Sequence, residues 1–356
     1  MFPFSELKTV QIEITTRCQA SCPMCARNIS GGPVNPNLKI ADWTLAEFKT
    51  IFNQEVCNQI ETVVFCGSFG EPIVNSDLLE MCQYLQDMNS NLAVRLHTNG
   101  SAKNQEWWKS LAGALPNDHL VTFGIDGLSD THAIHRRGTN YEQIIQNAKA
   151  FINAGGRAEW SYIKFFHNEH QVDQAKSMAA EIGFKSFIVK NSIRFNGDQY
   201  PVLDLNKEIV YNIKPPSDNV VRFVDKDIIK NYNTWFDNVK IDCHVLKYKE
   251  IYIDAYKNMF PCCWIASAPY LYNDPDGLLF PYKEKASKEV FSLIESLGGF
   301  GSIDLTTKTI KEIIEMPAWT SVWKKYWDEK ILVCAKNCGN TELTNTADQV
   351  ITRIDV

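Results

Sequence analysis

The chain of 356 residues carries a formal net charge of −6 at pH 7, and 45% of its residues are hydrophobic. This composition is typical of a folded globular protein and gives no electrostatic footprint for duplex nucleic acid. The length favours one large and one smaller domain. The sequence has no run of about 18 apolar residues, so we expect no transmembrane helix. Because the N-terminus also lacks a basic start followed by an apolar core, we expect a cytoplasmic protein.

Six β-like runs alternate with helix-period segments in the first half of the chain. The runs are 10–15, 61–66, 92–98, 120–126, 158–166 and 185–190. In 141–156 and 169–184 apolar residues recur with a helical period, and glycines end both segments. Six β–α repeats predict a parallel sheet. Polar residues recur where the strands end, which favours a partial (β/α)6 barrel of TIM type with its chemistry at that end.

The pattern changes near residue 195, and we predict four parts. Residues 1–194 form the barrel and 195–240 form an irregular linker or bridging segment. Residues 241–340 form a small α+β domain that contains a turn cluster at 273–277. Residues 341–356 form a polar tail.

Three of the eleven cysteines, Cys18, Cys22 and Cys25, lie on one short loop directly after the first predicted strand. In a cytosolic protein such a cluster indicates metal binding or catalysis. Three thiolates can hold three irons of a cubane and leave the fourth iron without a protein ligand. A zinc site is one alternative, although zinc takes a fourth ligand and usually paired C-x2-C units. Unrelated buried cysteines are the second alternative.

The C-x3-C-x2-C spacing of this loop, and its place after the first strand, resemble the radical S-adenosylmethionine (radical SAM) superfamily. Met24 stands where that family commonly has an aromatic residue. The resemblance implies a [4Fe–4S] cluster on Cys18, Cys22 and Cys25, whose open iron chelates the amino and carboxylate groups of S-adenosylmethionine. It also implies cleavage of that cofactor to a 5′-deoxyadenosyl radical, with electrons from a donor such as flavodoxin or ferredoxin.

Motifs at the ends of the following strands resemble the cofactor pocket of the same superfamily. G-E-P at 70–72 resembles the GGEP motif, T-N-G at 98–100 resembles the end of the third strand, and 123–142 resembles the stretch that closes the fourth. The residues that the resemblance assigns to cofactor binding are Gly70, Glu71, Thr98, Asn99, Asp126, Arg137 and Asn168. For each of them, capping a helix or closing a turn is the alternative role.

A second group of cysteines resembles the C-terminal auxiliary-cluster module of radical SAM proteins, called SPASM or, in its one-cluster form, Twitch. The shared features are a lone cysteine, an I-Y-I-D strand, a turn at 257–258, P-C-C-W on the return strand and a final cysteine pair. The ligands that this implies for one auxiliary [4Fe–4S] cluster are Cys243, Cys262, Cys334 and Cys338. Cys263 could replace Cys262, because adjacent residues on a strand point to opposite faces. Four thiolates also suit structural zinc, which is the alternative.

The resemblance implies an oxidoreductase that abstracts hydrogen from a small-molecule or peptide substrate, with the auxiliary cluster as electron acceptor. Cross-linking, epimerisation or rearrangement of a peptide or nucleotide is the alternative reaction. A non-catalytic iron–sulfur electron carrier or a zinc-binding scaffold is the alternative of another class. We interpret Cys57, Cys66 and Cys82 as buried small residues, and the tryptophans of 319–327, spaced by four, as one packed helix face.

Overall fold

The computed structural model describes residues 1–192, 194–195, 198–218, 232–272, 280–340 and 352–355. The predicted turn cluster at 273–277 lies outside these residues, as does the predicted tail apart from 352–355. Among the described residues, no helix has both the length and the apolar character needed to cross a lipid bilayer.

Within the described residues, a nine-stranded and mostly parallel sheet forms the centre of the molecule. Its six consecutive parallel strands are β1 (Thr9–Ile12), β2 (Thr62–Phe65), β3 (Ala93–Thr98), β4 (His119–Gly124), β5 (Ala158–Lys164) and β6 (Ser186–Asn191). The helices of this part are α1 (Leu45–Ile51), α2 (Gln54–Gln59), α3 (Leu78–Met88), α4 (Gln105–Ala114), α5 (His132–His135), α6 (Tyr141–Asn153) and α7 (Val172–Ile182). The six predicted strands and the partial (β/α)6 barrel are confirmed.

The two faces of the barrel sheet differ in polarity. On the outer face, Phe123, Trp160 and Phe187 form a buried row across β4, β5 and β6. Helices cover this row, and the ring of Trp108 on α4 lies 5.0 Å from that of Phe123. On the inner face, the neighbouring row is polar and consists of His97, Thr122, Glu159 and Ser186. An apolar outer face and a polar inner face are what a barrel needs if its interior receives a polar ligand.

The second half of the chain adds to the same sheet and to smaller ones. Its elements are β7 (Tyr200–Leu203), β8 (Ile209–Ile213), α8 (Tyr232–Asn238), β9 (Lys240–Ile241), α9 (His244–Tyr248), β10 (Glu250–Ile253), β11 (Met259–Phe260), α10 (Cys263–Ser267), α11 (Phe280–Ser296), α12 (Ile310–Glu315), α13 (Pro317–Asp328), α14 (Leu332–Cys338), β12 (Gly339–Asn340) and β13 (Thr352–Asp355). Strand β10 pairs in parallel with β1, and β13 pairs antiparallel with β6. Strands β10 and β11, which lie in the predicted second domain, extend the barrel sheet. The predicted domain boundaries stay a prediction.

The predicted turn at 257–258 is present after β10, with Lys257 in the left-handed region at φ of 70°. Two local expectations differ from the structure. The segment 195–240 is not wholly irregular, because β7 and β8 form an antiparallel hairpin. The return strand ends at Phe260, and Cys263 begins helix α10 rather than continuing the strand.

Candidate active site

The three cysteines of the first loop lie together beyond the end of β1. Each is half-buried, and the backbone N–H of Cys25 donates to the carbonyl of Cys22 at 3.1 Å. Burial, together with the charges of Glu71 and the other two cysteines, raises the pKa of the Cys18 thiol to about 12. Burial likewise raises the pKa of Cys22 to about 11. Three crowded thiols become thiolates only with a compensating cation, so the donor set fits an iron–sulfur cluster.

The turn after β2 packs directly against the backbone that leads into the cysteine loop. A Cβ atom on Gly70 would lie 1.8 Å from the carbonyl oxygen of Thr15, so this position accepts only glycine. The backbone N–H of Glu71 donates to the carbonyl of Arg17 at 2.8 Å. The close approach that Gly70 permits therefore includes the protein's own backbone, three residues before the first cysteine.

Glu71 joins the end of β2 to the end of β3. Its side chain is 4% exposed, and its carboxylate accepts a hydrogen bond from the backbone N–H of Asn99 at 2.7 Å. Burial raises the pKa of Glu71 to about 7, although a hydrogen bond from Thr98 opposes this rise. The side-chain amide of Asn99 lies 3.8 Å from the sulfur of Cys18. The structure thus brings Glu71, Thr98 and Asn99 together beside the first cysteine.

Asp126 follows β4 and is fully buried. Its Oδ2 lies 2.5 Å from Nε of Arg136 and 2.8 Å from Nδ1 of His135, and its Oδ1 accepts from the backbone N–H of Ile163 at 2.7 Å. Burial alone would raise the pKa of Asp126, but the guanidinium of Arg136 holds it well below its usual range. The charge of Arg136 also opposes the rise in the pKa of Cys22 that burial causes. Sequence reasoning missed Arg136, and the Arg-Arg pair in H-R-R-G was its only signal.

Arg137 and Asn168 make structural contacts. Arg137 donates to the carbonyls of Gly31 at 3.1 Å and Leu203 at 2.8 Å, and so connects the cysteine loop to the β7–β8 hairpin. Asn168 donates to the carbonyl of Ile163 at 3.0 Å and closes the turn after β5. These contacts match the structural alternatives, and the role of both residues in cofactor binding stays a prediction.

Glu13 is a second residue that sequence reasoning missed. Its side chain is 1% exposed and accepts hydrogen bonds from the backbone N–H groups of Phe69 at 2.6 Å and Gly70 at 2.7 Å. Tyr252 on β10 donates to its other oxygen at 2.9 Å. Glu13 therefore positions the G-E-P turn. The available signal was its position in the predicted strand 10–15, where a charged residue on a buried face needs partners.

The second group of cysteines comes together from three separate segments of the chain. Burial raises the pKa of the Cys334 thiol well above its ordinary value, and repulsion from three other thiols raises it further. Those thiols belong to Cys262, Cys338 and Cys243. Within the described residues, no set of three or more His, Cys, Asp and Glu side chains closes around one metal-ion position. Four neighbouring thiols are the donor set that both iron–sulfur clusters and structural zinc use.

Cys263 is half-buried next to Cys262, and the choice between the two as ligand stays a prediction. Desolvation raises the pKa of the Cys263 thiol to about 12, with the charges of Cys66 and Glu250 contributing. Cys57 and Cys82 are buried, as expected, whereas Cys66 is only half-buried. The tryptophan face is also confirmed, because Trp319 and Trp323 are buried with their rings 5.5 Å apart.

Comparisons with known proteins agree with this geometry. A model of the radical SAM superfamily matches residues 12–176. The chain is 30% identical over 145 residues to a 7,8-dihydro-6-hydroxymethylpterin dimethyltransferase of Methanocaldococcus jannaschii, which covers 39% of this chain and 27% of that protein. It is also similar in structure to native anSMEcpe with bound AdoMet, with a TM-score of 0.54 and 16% identity over 93% of this chain and 89% of that one.

A further similar structure is Streptococcus suis SuiB, with a TM-score of 0.48 and 16% identity, covering 74% of this chain and 61% of SuiB. The chain thus spans less than two thirds of both SuiB and the archaeal transferase. The anSMEcpe structure shares the fold, and radical SAM proteins bind a [4Fe–4S] cluster and S-adenosylmethionine. Residues 12–176, with the three cysteines of the first loop, are therefore a radical SAM domain.

Proposed function

We propose that this protein is a radical SAM enzyme that abstracts hydrogen from its substrate and completes a net two-electron oxidation. Its second [4Fe–4S] cluster, the proposed electron acceptor, is bound by Cys243, Cys262, Cys334 and Cys338. The observation that carries this proposal is the gathering of these four thiols from three segments of the chain, the last of which lies more than 70 residues after the second. Four neighbouring thiols ionise together only where a bound metal compensates their charge, and an iron–sulfur cluster supplies that compensation.

When bound, the first cluster and S-adenosylmethionine supply a 5′-deoxyadenosyl radical, and the second cluster supplies an electron acceptor. The protein's own residues position these groups. Glu13 and Gly70 set the turn that meets the cofactor, and Glu71 presents a carboxylate suited to its amino group. The Asp126–Arg136 pair places a cation beside Cys22, where thiolate charge develops when the cluster binds.

The arrangement of the strands supports an exchange of electrons between the two sites. Strand β10 lies beside β1, and its Tyr252 contacts Glu13 inside the barrel. Cys66, at the end of β2, interacts with Cys263, the neighbour of Cys262. Hydrogen abstraction leaves a substrate radical, and the loss of one further electron and one proton gives the oxidised product. Because β10 belongs to the barrel sheet and leads towards the second site, an electron acceptor bound there suits the removal of that electron.

The substrate could be a small molecule or a peptide. The similarity to a pterin dimethyltransferase supports a second candidate, methyl transfer, although it covers only 39% of the chain. The two reactions differ in product mass, because oxidation removes two hydrogens and methylation adds a CH2 unit. Cross-linking, epimerisation and rearrangement remain the further alternatives.

Iron analysis of the anaerobically reconstituted protein tests the proposal. We expect about eight irons per chain, and about four after Cys18, Cys22 and Cys25 are all replaced by alanine. The double variant Cys334→Ala, Cys338→Ala should also keep about four irons and still form 5′-deoxyadenosine under strong reductant.

The matched control for that experiment is the double variant Cys57→Ala, Cys82→Ala, which removes two buried cysteines of the barrel and should keep all the iron. A wild-type protein with four irons and one tightly held zinc would remove the second cluster from the proposal. A Cys334→Ala, Cys338→Ala variant that still forms the oxidised product at the wild-type rate would remove its role as electron acceptor.

A further inference from the structure

The inner face of the barrel carries two basic side chains, His97 and Lys190, that have no role in the cofactor contacts described above. His97 is on β3, directly before Thr98, and Lys190 is on β6 in register with Ile163. After burial, the charge of Lys190 is the largest cause that lowers the pKa of His97. The row that contains His97 ends at Ser186 on β6, and Lys190 lies four residues beyond Ser186, so both side chains are on the same inner face.

Both side chains keep contact with solvent on this inner face. His97 is exposed, yet desolvation by the surrounding protein is the main cause that lowers its pKa to about 4. Lys190 is half-buried, and the same desolvation lowers its pKa. A side chain that keeps solvent contact while protein surrounds it lines a cavity rather than a convex surface. At neutral pH, His97 is then uncharged and Lys190 carries the positive charge.

Neither side chain has a hydrogen bond or an ion pair with any residue that the structure describes. The neighbouring acidic groups already have partners. Asp126 is bound by Arg136 and His135. Glu159 accepts from the hydroxyl of Ser186 at 2.7 Å and lies 3.2 Å from the guanidinium of Arg353. Glu159 and Asp126 act on Lys190 only through their charges, without a hydrogen bond or ion pair to it. A partly desolvated ammonium group without a hydrogen-bonded counter-ion is costly, and an anionic ligand would reduce that cost.

We propose that Lys190 and His97 form a subsite for an anionic group of the substrate, a carboxylate or a phosphate, inside the barrel. Lys190 supplies the charge, and the neutral imidazole of His97 supplies one N–H donor. Because His97 directly precedes Thr98 and Asn99, the bound anion would hold the substrate next to the cofactor residues. This subsite rests on the proposed function, since it gives the substrate class for the same barrel.

The test uses inorganic phosphate and acetate as probes, titrated by calorimetry into the cluster-loaded protein with S-adenosylmethionine bound. We expect wild type to bind at least one of the two, and the tighter probe indicates whether the natural group is a phosphate or a carboxylate. Lys190→Met should weaken this binding by about tenfold or more, since a charge-assisted contact is lost. Lys190→Arg keeps the charge and should stay within about threefold of wild type. The matched control is Lys185→Met, an exposed lysine just before β6.

Three results would overturn the subsite: binding of neither probe by wild type, equal binding by Lys190→Met, or a matching loss of S-adenosylmethionine affinity in that variant. The last would assign Lys190 to the carboxylate of the cofactor. Formation of 5′-deoxyadenosine by the wild-type protein is measured in parallel. If wild type formed none, the proposed function would fail, while the anion titration would still stand on its own.

Discussion

Replacement of Glu13 by glutamine tests whether burial in the barrel raises the pKa of its carboxyl group. The side chain accepts two backbone N–H groups on one oxygen and contacts the hydroxyl of Tyr252 with the other. A glutamine keeps the first two hydrogen bonds through its carbonyl and donates its N–H to Tyr252. It therefore mimics the protonated carboxyl group, which would donate its O–H to the same hydroxyl. We expect the Glu13→Gln variant to fold and to hold the G-E-P turn.

The difference between the two proteins should depend on pH. Burial raises the pKa of Glu13 to about 7, from 4.5 for an unperturbed glutamate. A carboxyl group with a raised pKa contributes stability that is fully present below pH 4.5 and is lost as the pH rises through 7. The full loss is about 3 kcal/mol, of which about 1 kcal/mol falls between pH 6 and pH 8. Glutamine does not titrate, so its variant does not share this loss.

Anaerobic guanidinium denaturation at pH 6, 7 and 8 measures this difference. The free energy of unfolding of wild type, minus that of Glu13→Gln, should fall by about 1 kcal/mol across the range. The control Glu181→Gln changes an exposed glutamate at the end of α7 and should show a constant difference. Parallel pH profiles for wild type and Glu13→Gln would refute the reasoning, because Glu13 would then be ionised throughout.

Two further substitutions examine the turn and strand ends around the first cysteine. Gly70→Ala places a Cβ atom 1.8 Å from the carbonyl oxygen of Thr15, so we expect calorimetry to show no S-adenosylmethionine binding. The control Gly113→Ala, in open space on α4, should bind the cofactor normally. Normal binding by Gly70→Ala would contradict the packing of the turn. Glu71→Ala leaves the N–H of Asn99 without its acceptor, so we expect weaker cofactor binding, normal iron content and about 1–3 kcal/mol less stability to denaturant. Unchanged cofactor affinity would show that Glu71 only supports the backbone.

The barrel strands could be predicted because their local sequence and their final environment agree. In β5 the residues Trp160 and Tyr162 alternate with polar ones, and both aromatic side chains are fully buried. The first cysteine loop could be predicted equally well, since its three cysteines are close in sequence. Each of these patterns lies within about ten residues, so it can be recognised without knowledge of the tertiary contacts.

The features that sequence reasoning missed depend on contacts between distant segments. The choice between Arg136 and Arg137 depends on which side chain the turn after β4 directs at Asp126, and two adjacent arginines give no sign of it. The β7–β8 hairpin has a break in its register at Val202, and its strands lack a clear alternation. The pairing of β10 with β1 joins residues about 240 positions apart, and no local pattern encodes such a partner.

The pairing of β10 with β1 also affects how the two cysteine sites can be separated by experiment. Tyr252 on β10 holds Glu13, and Glu13 holds the N–H groups of the G-E-P turn at the first site. Cys262 follows Tyr252 closely, after the short strand β11. If metal at the second site is needed to order this hairpin, its loss would loosen the Tyr252–Glu13 contact and weaken S-adenosylmethionine binding. If the second site serves only as an electron acceptor, cofactor affinity should not depend on its metal. The affinity of the variant lacking Cys334 and Cys338 therefore distinguishes support of the fold from electron transfer.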